Sequence, residues 1–254
     1  MKIIQLNIWH GKLGELVIDF LNEQRPDVVC LQEASDIPPG PTYGMFVPID
    51  EIQRKTGLAH ASFAPTFSYG FMRRTCRFGN AILSKYPLKQ EKTVFIHGEY
   101  KNDFDRAQDE YNIRNLQVCE AKTPDGSITI VNHHGFHDKN PKGNERTIEA
   151  LKKVAKIVGE LKSPLIFCGD LNVTPDSPAM KPLNNLDLRN LTLENNLKTT
   201  LSQVHFLQQP VTCDYIFASS DIKIKSFQVS DEIVSDHNPL ILEFDMPLRA
   251  KIKT

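Results

Sequence analysis

Short apolar runs that end in polar, reactive residues recur along the chain. The run at residues 165–168 lies between a proline and a glycine, and its length and flanks predict a buried strand. Asp170 and Asn172 follow it. Residues two apart in an extended segment point to the same side, so this carboxylate and amide would converge on one point. The alternative is an ordinary turn, because both residues belong to good turn-forming sequences.

Three other apolar runs end in the same manner, which favours a site over a turn. Residues 2–6 run into Asn7, and residues 28–31 run into Gln32 and Glu33. Asp236 and His237 directly precede the apolar run 239–242. These strand ends predict one shared centre that carries carboxylate, amide and imidazole groups.

The same hydrophobic patterns predict an alternation of strands and helices. Strands are predicted at 2–8, 27–33, 91–96, 115–122, 127–134, 165–168, 213–218, 222–229 and 239–245, with helices at 13–24 and 145–161. Residues 34–75 are predicted as loops with one short helix near 51–56, and residues 175–210 as loop-rich. In strand 127–134, Asn132 and His134 share a face and His133 points the other way, so alternation favours His134 as the site histidine.

Six short motifs complete this picture, and they occur in a fixed order. They are Asn7, Leu31-Gln32-Glu33, Asn132-His133-His134, Gly169-Asp170-Leu171-Asn172, Asp214-Tyr215 and Ser235-Asp236-His237. In this order the chain resembles the endonuclease/exonuclease/phosphatase superfamily, the deoxyribonuclease-I-like fold. The resemblance implies an α/β fold of four layers, an α/β/β/α sandwich of two packed mixed sheets with outer helices. It covers nearly the whole chain, so we predict a single catalytic domain over residues 1–254.

Composition limits the function classes. The 254 residues have 40% hydrophobic content and a formal net charge of −1, so any basic nucleic-acid surface must be local. No apolar run approaches the roughly 20 residues that span a membrane. Five cysteines occur without a C-x-x-C pair, which is typical of reduced thiols and argues against a structural zinc site. Because the N-terminus shows no signal peptide, a cytoplasmic monomer is expected.

The resemblance assigns roles to the motif residues. Oxygen ligands suit Mg²⁺, with Mn²⁺ as a substitute, and the expected metal ligands are Glu33, Asn7 and Asp236. The expected catalytic residues are His134, Asp170, Asn172, Asp214 and His237. His134 would protonate the leaving oxygen, although His133 and His137 remain alternatives. Asp214 would orient His237, and Asp170 and Asn172 would position water and phosphate. His10 and His205 belong to no motif and are predicted to be ordinary histidines.

The substrate is predicted to be a phosphodiester, and nucleic acid or a nucleic-acid end is favoured. The expected substrate-binding residues are Arg73, Arg74, Arg77, Asn80 and Asn132. A phospholipid or sphingomyelin-type phosphodiesterase is the alternative, and the sequence shows neither a leader nor an apolar hairpin to favour it. An inositol-phosphate phosphatase is less favoured because Tyr215 follows Asp214, where those enzymes have arginine. A catalytically inactive binding module of the same fold is the non-enzyme alternative.

Overall fold

Two six-stranded sheets form the centre of the protein. The computed structural model describes residues 1–37, 46–71 and 73–247. The strands are β1 (Lys2–Asn7), β2 (Val28–Asp36), β3 (His60–Phe71), β4 (Arg74–Ser84), β5 (Leu88–His97), β6 (Arg114–Thr123), β7 (Gly126–His134), β8 (Leu165–Asp170), β9 (Leu188–Asn190), β10 (Asp214–Ser219), β11 (Lys223–Val229) and β12 (Leu240–Asp245). The helices are α1 (Gly14–Gln24), α2 (Ile49–Thr56), α3 (Glu145–Gly159), α4 (Lys181–Asn184) and α5 (Leu191–Glu194).

Both sheets are mixed. The first sheet has the order β11-β12-β1-β2-β4-β3, and the second has the order β5-β6-β7-β8-β10-β9. Each contains one parallel pair, β1 with β2 and β7 with β8, whereas its other neighbours are antiparallel. The parallel pairs are joined by α1 and α3, because a parallel connection needs a crossover.

Three apolar layers hold the sheets and helices together. Alternation along β1 decides which layer each residue enters: Ile4 and Leu6 pack towards α1, and Ile3 packs between the sheets. On the second sheet, Ile130 packs between the sheets and Val131 packs towards α3. The order of layers is therefore helix, sheet, sheet, helix, which confirms the predicted α/β/β/α sandwich.

Polar side chains replace the apolar filling at one end of the space between the sheets. Gln32 Nε2 donates to Asn132 Oδ1 at 2.7 Å, and Gln117 Nε2 donates to the Ser62 carbonyl at 2.9 Å. Because these groups are buried, each contact satisfies a donor that would otherwise be costly to bury. The bonds fix how one sheet lies on the other at the end where the motif residues meet.

Several elements differ from the predicted pattern. Strand β3 lies in the region predicted as loops, and it is an edge strand with a register shift between Pro65 and Phe67. Proline is tolerated there because an edge strand leaves half its amide groups unpaired. The predicted loop-rich region 175–210 contains α4, β9 and α5. Residues 38–45 of the predicted loop region lie outside the described residues.

Candidate active site

The motif residues converge at one edge of the sandwich. Asn7, Glu33, His134, Asp170, Asn172, Asp236 and His237 all line one cavity of about 1020 Å³. Asn7, Glu33, Asp236 and His237 belong to the first sheet or its flanking loops, and His134, Asp170 and Asn172 to the second. The cavity therefore depends on both sheets.

A β-bulge in strand β2 sets the direction of the Glu33 side chain. The register of β2 against β4 shifts between Leu31 and Ala34, and Glu33 has a positive φ of 54°. A bulge of this type turns one side chain away from its regular direction, and bulges are frequent beside active sites. Without it, Glu33 would follow the strict alternation of the strand.

Asp170 occupies the centre of the site. Its Oδ2 accepts a hydrogen bond from Asn7 Nδ2 at 3.1 Å across the two sheets, and its Oδ1 accepts one from the Asn172 amide at 3.0 Å. Two imidazoles flank the same Oδ2, with His134 Nε2 at 3.6 Å and His237 Nε2 at 3.8 Å. Burial and then the charge of Asp214 raise the pKa of the Asp170 carboxyl. One carboxylate thus lies between two possible proton carriers.

Asp214 does not line the cavity but orients His237 from behind. Its Oδ2 is 2.9 Å from His237 Nδ1 and accepts a 2.6 Å bond from Thr200 Oγ1, while its Oδ1 accepts a 2.6 Å bond from Gln5 Nε2. Burial alone would lower the pKa of His237, but the charges of Asp214 and Asp170 raise it well above its usual value. His237 is therefore held as an imidazolium whose Nε2 faces the cavity.

His134 differs from His237 in its charge state. Burial, followed by the positive charge of Arg114, lowers the pKa of His134 well below its usual value, so this ring is neutral. His133 is fully buried and contacts the Asn115 carbonyl through Nδ1 at 2.8 Å, away from the cavity. His137 lines the cavity and its Nδ1 lies 3.3 Å from Asn172 Oδ1. The geometry favours His134, as strand alternation predicts.

The oxygen-rich side of the cavity fits a hard divalent cation. Burial, together with the nearby carboxylates of Asp236 and Asp170, raises the pKa of Glu33 to about 7. Such a concentration of buried negative charge is costly, and a cation would offset it. Asn7 Oδ1 accepts a hydrogen bond from the Trp9 amide at 3.1 Å and has a second lone pair. Glu33, Asp236 and Asn7 supply the oxygen donors that Mg²⁺ prefers.

Two further groups of possible ligand atoms lie within the described part of the chain. In each group the atoms are within 4.8 Å of one another; one group is Asp170, Cys213, Asp214 and His237, and the other is His205, Asp236 and His237. Both groups include the imidazole of His237, which is a nitrogen ligand, whereas Mg²⁺ prefers oxygen ligands. The oxygen set around Glu33 is therefore the better candidate.

Arg114 is a site residue that no sequence motif indicated. It is almost fully buried yet lines the cavity, and its Nε donates to the Gly135 carbonyl at 2.6 Å. One terminal nitrogen, Nη2, has no hydrogen-bond partner among the described residues. A buried, unsatisfied guanidinium donor is costly unless it has an anionic partner. Arg114 thus brings a buried guanidinium with an unsatisfied donor to the cavity lining.

Gly135, directly after His134, lies where two backbone segments of the site approach closely. A Cβ at this position would lie 2.3 Å from the Leu171 carbonyl oxygen, so a side chain would displace the backbone that carries Asp170 and Asn172. The Gly135 amide donates to the Asp170 carbonyl at 2.7 Å. Glycine permits this close approach of two backbones.

Half-buried aromatic rings line the Glu33 side of the cavity. We call this set the aromatic wall; it consists of His10, Phe46, Tyr69, Phe71, Phe104 and Tyr111. His10 Nε2 lies 3.7 Å from Glu33 Oε2, and its ring stacks on Phe78 with centroids 4.5 Å apart. His10 was predicted to be an ordinary histidine, and the structure places it in the cavity lining, at a turn that no motif marks.

An apolar loop lines the opposite, His237 side. Val204, Phe206 and Leu207 line the cavity although their side chains are largely exposed, Phe206 by 76%. His205, between them, is buried and packs edge-on against His237 with centroids 5.7 Å apart. Its Nδ1 accepts a hydrogen bond from the Leu207 amide at 3.1 Å, as expected of a satisfied histidine, although it also lines the cavity. No sequence pattern indicated an exposed apolar segment beside the site.

The predicted substrate-binding arginines lie outside the cavity lining. Arg73 and Arg74 lie at the turn between β3 and β4, two and three residues beyond the lining residue Phe71. Arg77 Nε donates to Asp36 Oδ2 at 2.6 Å, and its guanidinium also contacts that carboxylate through Nη2. A substrate long enough to leave the cavity is needed to reach them.

Asn80 and Asn132 are placed between the sheets and not at the substrate. Asn80 Nδ2 donates to Asn115 Oδ1 at 3.0 Å. Asn132 Nδ2 donates to the carbonyls of Leu31 and Ala81 at 2.9 and 3.0 Å. Both side chains are buried and neither lines the cavity. Asn132 faces the same side as His134, but it lies two residues, roughly 6.6 Å, deeper in the sandwich.

Comparisons with known proteins agree with this geometry. A structure of an endonuclease/exonuclease/phosphatase from Beutenbergia cavernae has a TM-score of 0.72 at 17% identity, over 97% of this chain and 71% of the other. The human nocturnin catalytic domain with bound sulfate has a TM-score of 0.66 at 20% identity, over 96% and 93%. D. rerio TDP2 complexed with a single-strand DNA product has a TM-score of 0.68 at 15% identity, over 97% and 99%.

These structural similarities establish the fold, and a family model extends the match to sequence. No curated protein sequence matches the chain significantly. The model of the Endonuclease/Exonuclease/phosphatase family matches residues 4–237, a range that includes every motif residue from Asn7 to His237. The protein therefore belongs to the endonuclease/exonuclease/phosphatase family.

Proposed function

We propose that the protein is a Mg²⁺-dependent phosphodiester hydrolase that acts on nucleic acid or on a nucleic-acid end. The observation that carries the proposal is the placement of Asp170 Oδ2 between His134 and His237, one neutral and one charged. Phosphodiester hydrolysis needs a positioned nucleophile, stabilisation of developing charge and a proton for the leaving oxygen. The cavity provides a group for each need.

We assign the roles by charge state and position. Asp170, with Asn172 beside it, accepts a hydrogen bond from the attacking water and orients it towards phosphorus. The imidazolium of His237 and the guanidinium of Arg114 contact phosphate oxygens and stabilise the added negative charge. When bound by Glu33, Asp236 and Asn7, Mg²⁺ supplies a further positive charge to a nonbridging oxygen.

His134 is assigned as the donor to the leaving oxygen. Its pKa is lowered by burial and by cations, and the negative charge of a bound phosphate acts in the opposite direction. Its Nε2 is on the cavity side, 3.6 Å from the central carboxylate. An imidazole at this position takes up a proton from solvent when the phosphate is bound, passes it from Nε2 to the alkoxide as the P–O bond breaks, and is left neutral.

Nucleic acid is favoured by the cations around the cavity. Lys12, Arg106 and Arg114 line it, and Arg73 and Arg74 lie beyond its rim at the hairpin turn. TDP2, one of the similar structures, was solved with a DNA product.

All five cysteines are free and buried, which supports an assignment to the reducing cytoplasm.

A phospholipid diester is the second candidate because of the exposed apolar loop. Phe206, Leu207 and Val204 form an apolar rim beside His237, and exposed apolar rims occur where proteins contact lipid or other apolar surfaces. Within the described part of the chain, no helix is both long and apolar enough to cross a bilayer.

Hydrolysis of a substrate panel tests the proposal. Single- and double-stranded DNA, RNA, a 5′-tyrosyl oligonucleotide, sphingomyelin and inositol phosphates are compared in Mg²⁺, in Mn²⁺ and in a chelator. We expect cleavage of a nucleic-acid substrate that stops in the chelator and returns with Mg²⁺. Preferred cleavage of sphingomyelin would support the lipid alternative, and no cleavage of any diester would indicate a binding module.

Charge removal at the hairpin tests the nucleic-acid assignment separately. We expect Arg73→Gln with Arg74→Gln to raise KM for a long oligonucleotide and to reduce its salt slope by about one unit for each phosphate group that the variant no longer binds. A small diester should be affected little, because neither residue lines the cavity. Arg77→Gln should change less, since Asp36 already neutralises that guanidinium.

The control is Lys152→Gln, which removes an exposed cation from α3, away from the cavity lining. If the hairpin variant retains the slope of the wild type, these arginines do not contact nucleic-acid phosphates.

A further inference from the structure

The aromatic wall has no assigned role in phosphate chemistry, although it forms much of the cavity. Its rings are half-buried, and each contributes surface to the cavity. Behind them, Phe67 stacks on Phe78 and Phe104 with centroids 4.8 and 4.2 Å apart, which holds the wall rigid. Flat, fixed rings beside a phosphate site suit a planar ligand group.

Backbone strain at the edge of this wall is a second observation. Trp9 and His10 both have positive φ angles, 48° and 57°. This conformation is unfavourable for bulky side chains by roughly 1–2 kcal/mol per residue, and such strain persists mainly at functional positions. Here it directs both aromatic rings towards the cavity.

The charges on the wall distinguish between planar bases and other ligands. Lys12 Nζ lies 3.7 Å from the centroid of the Trp9 ring, and the guanidinium carbons of Arg106 and Arg114 lie 5.9 and 5.3 Å from the centroid of Tyr111. The two guanidinium groups already lie over the ring of Tyr111, so a quaternary ammonium group would find that face of the wall occupied. They would attract the phosphates that flank a nucleobase.

The opposite side of the cavity provides an internal comparison. It is lined largely by aliphatic side chains, among them Leu201, Val204, Leu207 and Val211. An acyl chain would be accommodated by such a surface and would need no array of rings. The aromatic rings and the cations Lys12, Arg106 and Arg114 line the cavity together and suit a ligand that has both a planar group and a negative charge.

We propose that the aromatic wall is a nucleobase subsite, in which the base of the nucleotide beside the scissile phosphate stacks on Phe71 or Phe104. The short distance between His10 and Glu33, 3.7 Å between Nε2 and Oε2, places the subsite directly beside the proposed metal ligands. This inference rests on the proposed function and specifies its substrate. A subsite of this kind makes the protein prefer substrates that have a nucleotide next to the cleaved bond.

Binding of small ligands tests the subsite without turnover of a diester. Trp9 is the only tryptophan of the chain and lines the cavity, so its fluorescence reports occupancy. Adenosine 5′-monophosphate, ribose 5-phosphate, phosphocholine and phenyl phosphate are titrated in Mg²⁺. Stacking of one base contributes enough that we expect the adenosine ligand to bind about 5- to 150-fold more tightly than ribose 5-phosphate. Phosphocholine should bind no better than ribose 5-phosphate.

Three matched substitutions locate the effect. Phe71→Leu and Phe104→Leu keep an apolar side chain but remove the flat face, and each should reduce the adenosine preference about fivefold or more. Phe95→Leu is the control, because Phe95 is half-buried in the same cluster as Phe104 but does not line the cavity. It should leave the preference unchanged.

Several outcomes would overturn the subsite. The first is a ratio near one between the affinities for adenosine 5′-monophosphate and ribose 5-phosphate, and the second is the wild-type ratio in both wall variants. The third is tighter binding of phosphocholine or phenyl phosphate than of adenosine 5′-monophosphate. Hydrolysis of bis(p-nitrophenyl) phosphate is measured in parallel and separates the two proposals. Hydrolysis with no base preference rejects the subsite alone, whereas base preference without hydrolysis supports the subsite and rejects the enzyme.

Discussion

Glu33→Gln is expected to lower the rate of phosphodiester hydrolysis by about 10²- to 10³-fold and to weaken Mg²⁺ binding, while the fold remains intact. The carboxylate is the main oxygen donor on the metal side of the cavity, and glutamine keeps its shape without its charge. Steady-state kinetics at limiting Mg²⁺ and calorimetric titration with Mg²⁺ measure the two effects.

The same substitution should stabilise the metal-free protein at neutral and alkaline pH. The pKa of Glu33 is raised to about 7 in the folded state, above its ordinary value of 4.5, so ionisation opposes folding as pH rises through this interval. Glutamine does not ionise. We therefore expect its gain in Tm over the wild type to be small near pH 4.5 and larger above about pH 7, and addition of Mg²⁺ should reduce the difference.

Glu120→Gln is the matched control, because Glu120 is also a strand carboxylate with a similar exposed fraction, 19% against 17% for Glu33. It lies on β6 and does not line the cavity. Wild-type activity of the Glu33 variant in limiting Mg²⁺ would show that Glu33 is not a metal ligand.

His134→Gln should cost roughly 10²- to 10⁴-fold in rate, about 3–5 kcal/mol, on substrates with alkyl or sugar leaving groups. These alkoxides leave poorly unless they are protonated as the P–O bond breaks. A nitrophenolate leaves without a proton, so the same variant should retain much more activity on a nitrophenyl phosphodiester. His237→Gln should damage both substrates to a similar degree, because we propose that the imidazolium stabilises charge on the phosphate and does not protonate the leaving oxygen.

His133→Gln supplies the control, since this ring faces away from the cavity and contacts the Asn115 carbonyl. Equal losses on both substrates for His134→Gln would remove it from the general-acid role. A larger loss on the alkyl substrate for His133→Gln would show that the neighbouring histidine is the acid.

The strand ends of the site were predictable because burial imposes a strict period of two on a strand between two packed layers. That period places Gln5 and Asn7 of β1 and His134 of β7 on the inner faces, and the structure confirms these directions. Strand alternation specifies the face of the sheet on which a side chain lies, but not how far that side chain lies from the edge of the sandwich. Asn132 therefore shares the face of His134 and yet serves to join the sheets.

The residues that the sequence missed come from packing between distant segments. Arg114, His10 and His205 reach the cavity from a strand start, a turn and a loop that no local pattern connects. Strand β3 was missed for a different reason: Pro65 breaks the hydrophobic alternation, and only its position at the sheet edge makes that proline acceptable.

The central position of β1 has a consequence for the order of folding during synthesis. Its neighbours in the sheet are β2, close in sequence, and β12, about 240 residues later, with Ile3 opposite Leu242. Until β12 emerges from the ribosome, one edge of β1 has no partner and a long-range pairing is still to form. Asp236 and His237 precede β12 by only a few residues, so a nascent chain acquires these two cavity-lining residues and its completed sheet at almost the same moment. A chain that stops before Asp236 therefore lacks both the pairing of β1 with β12 and two side chains of the cavity lining.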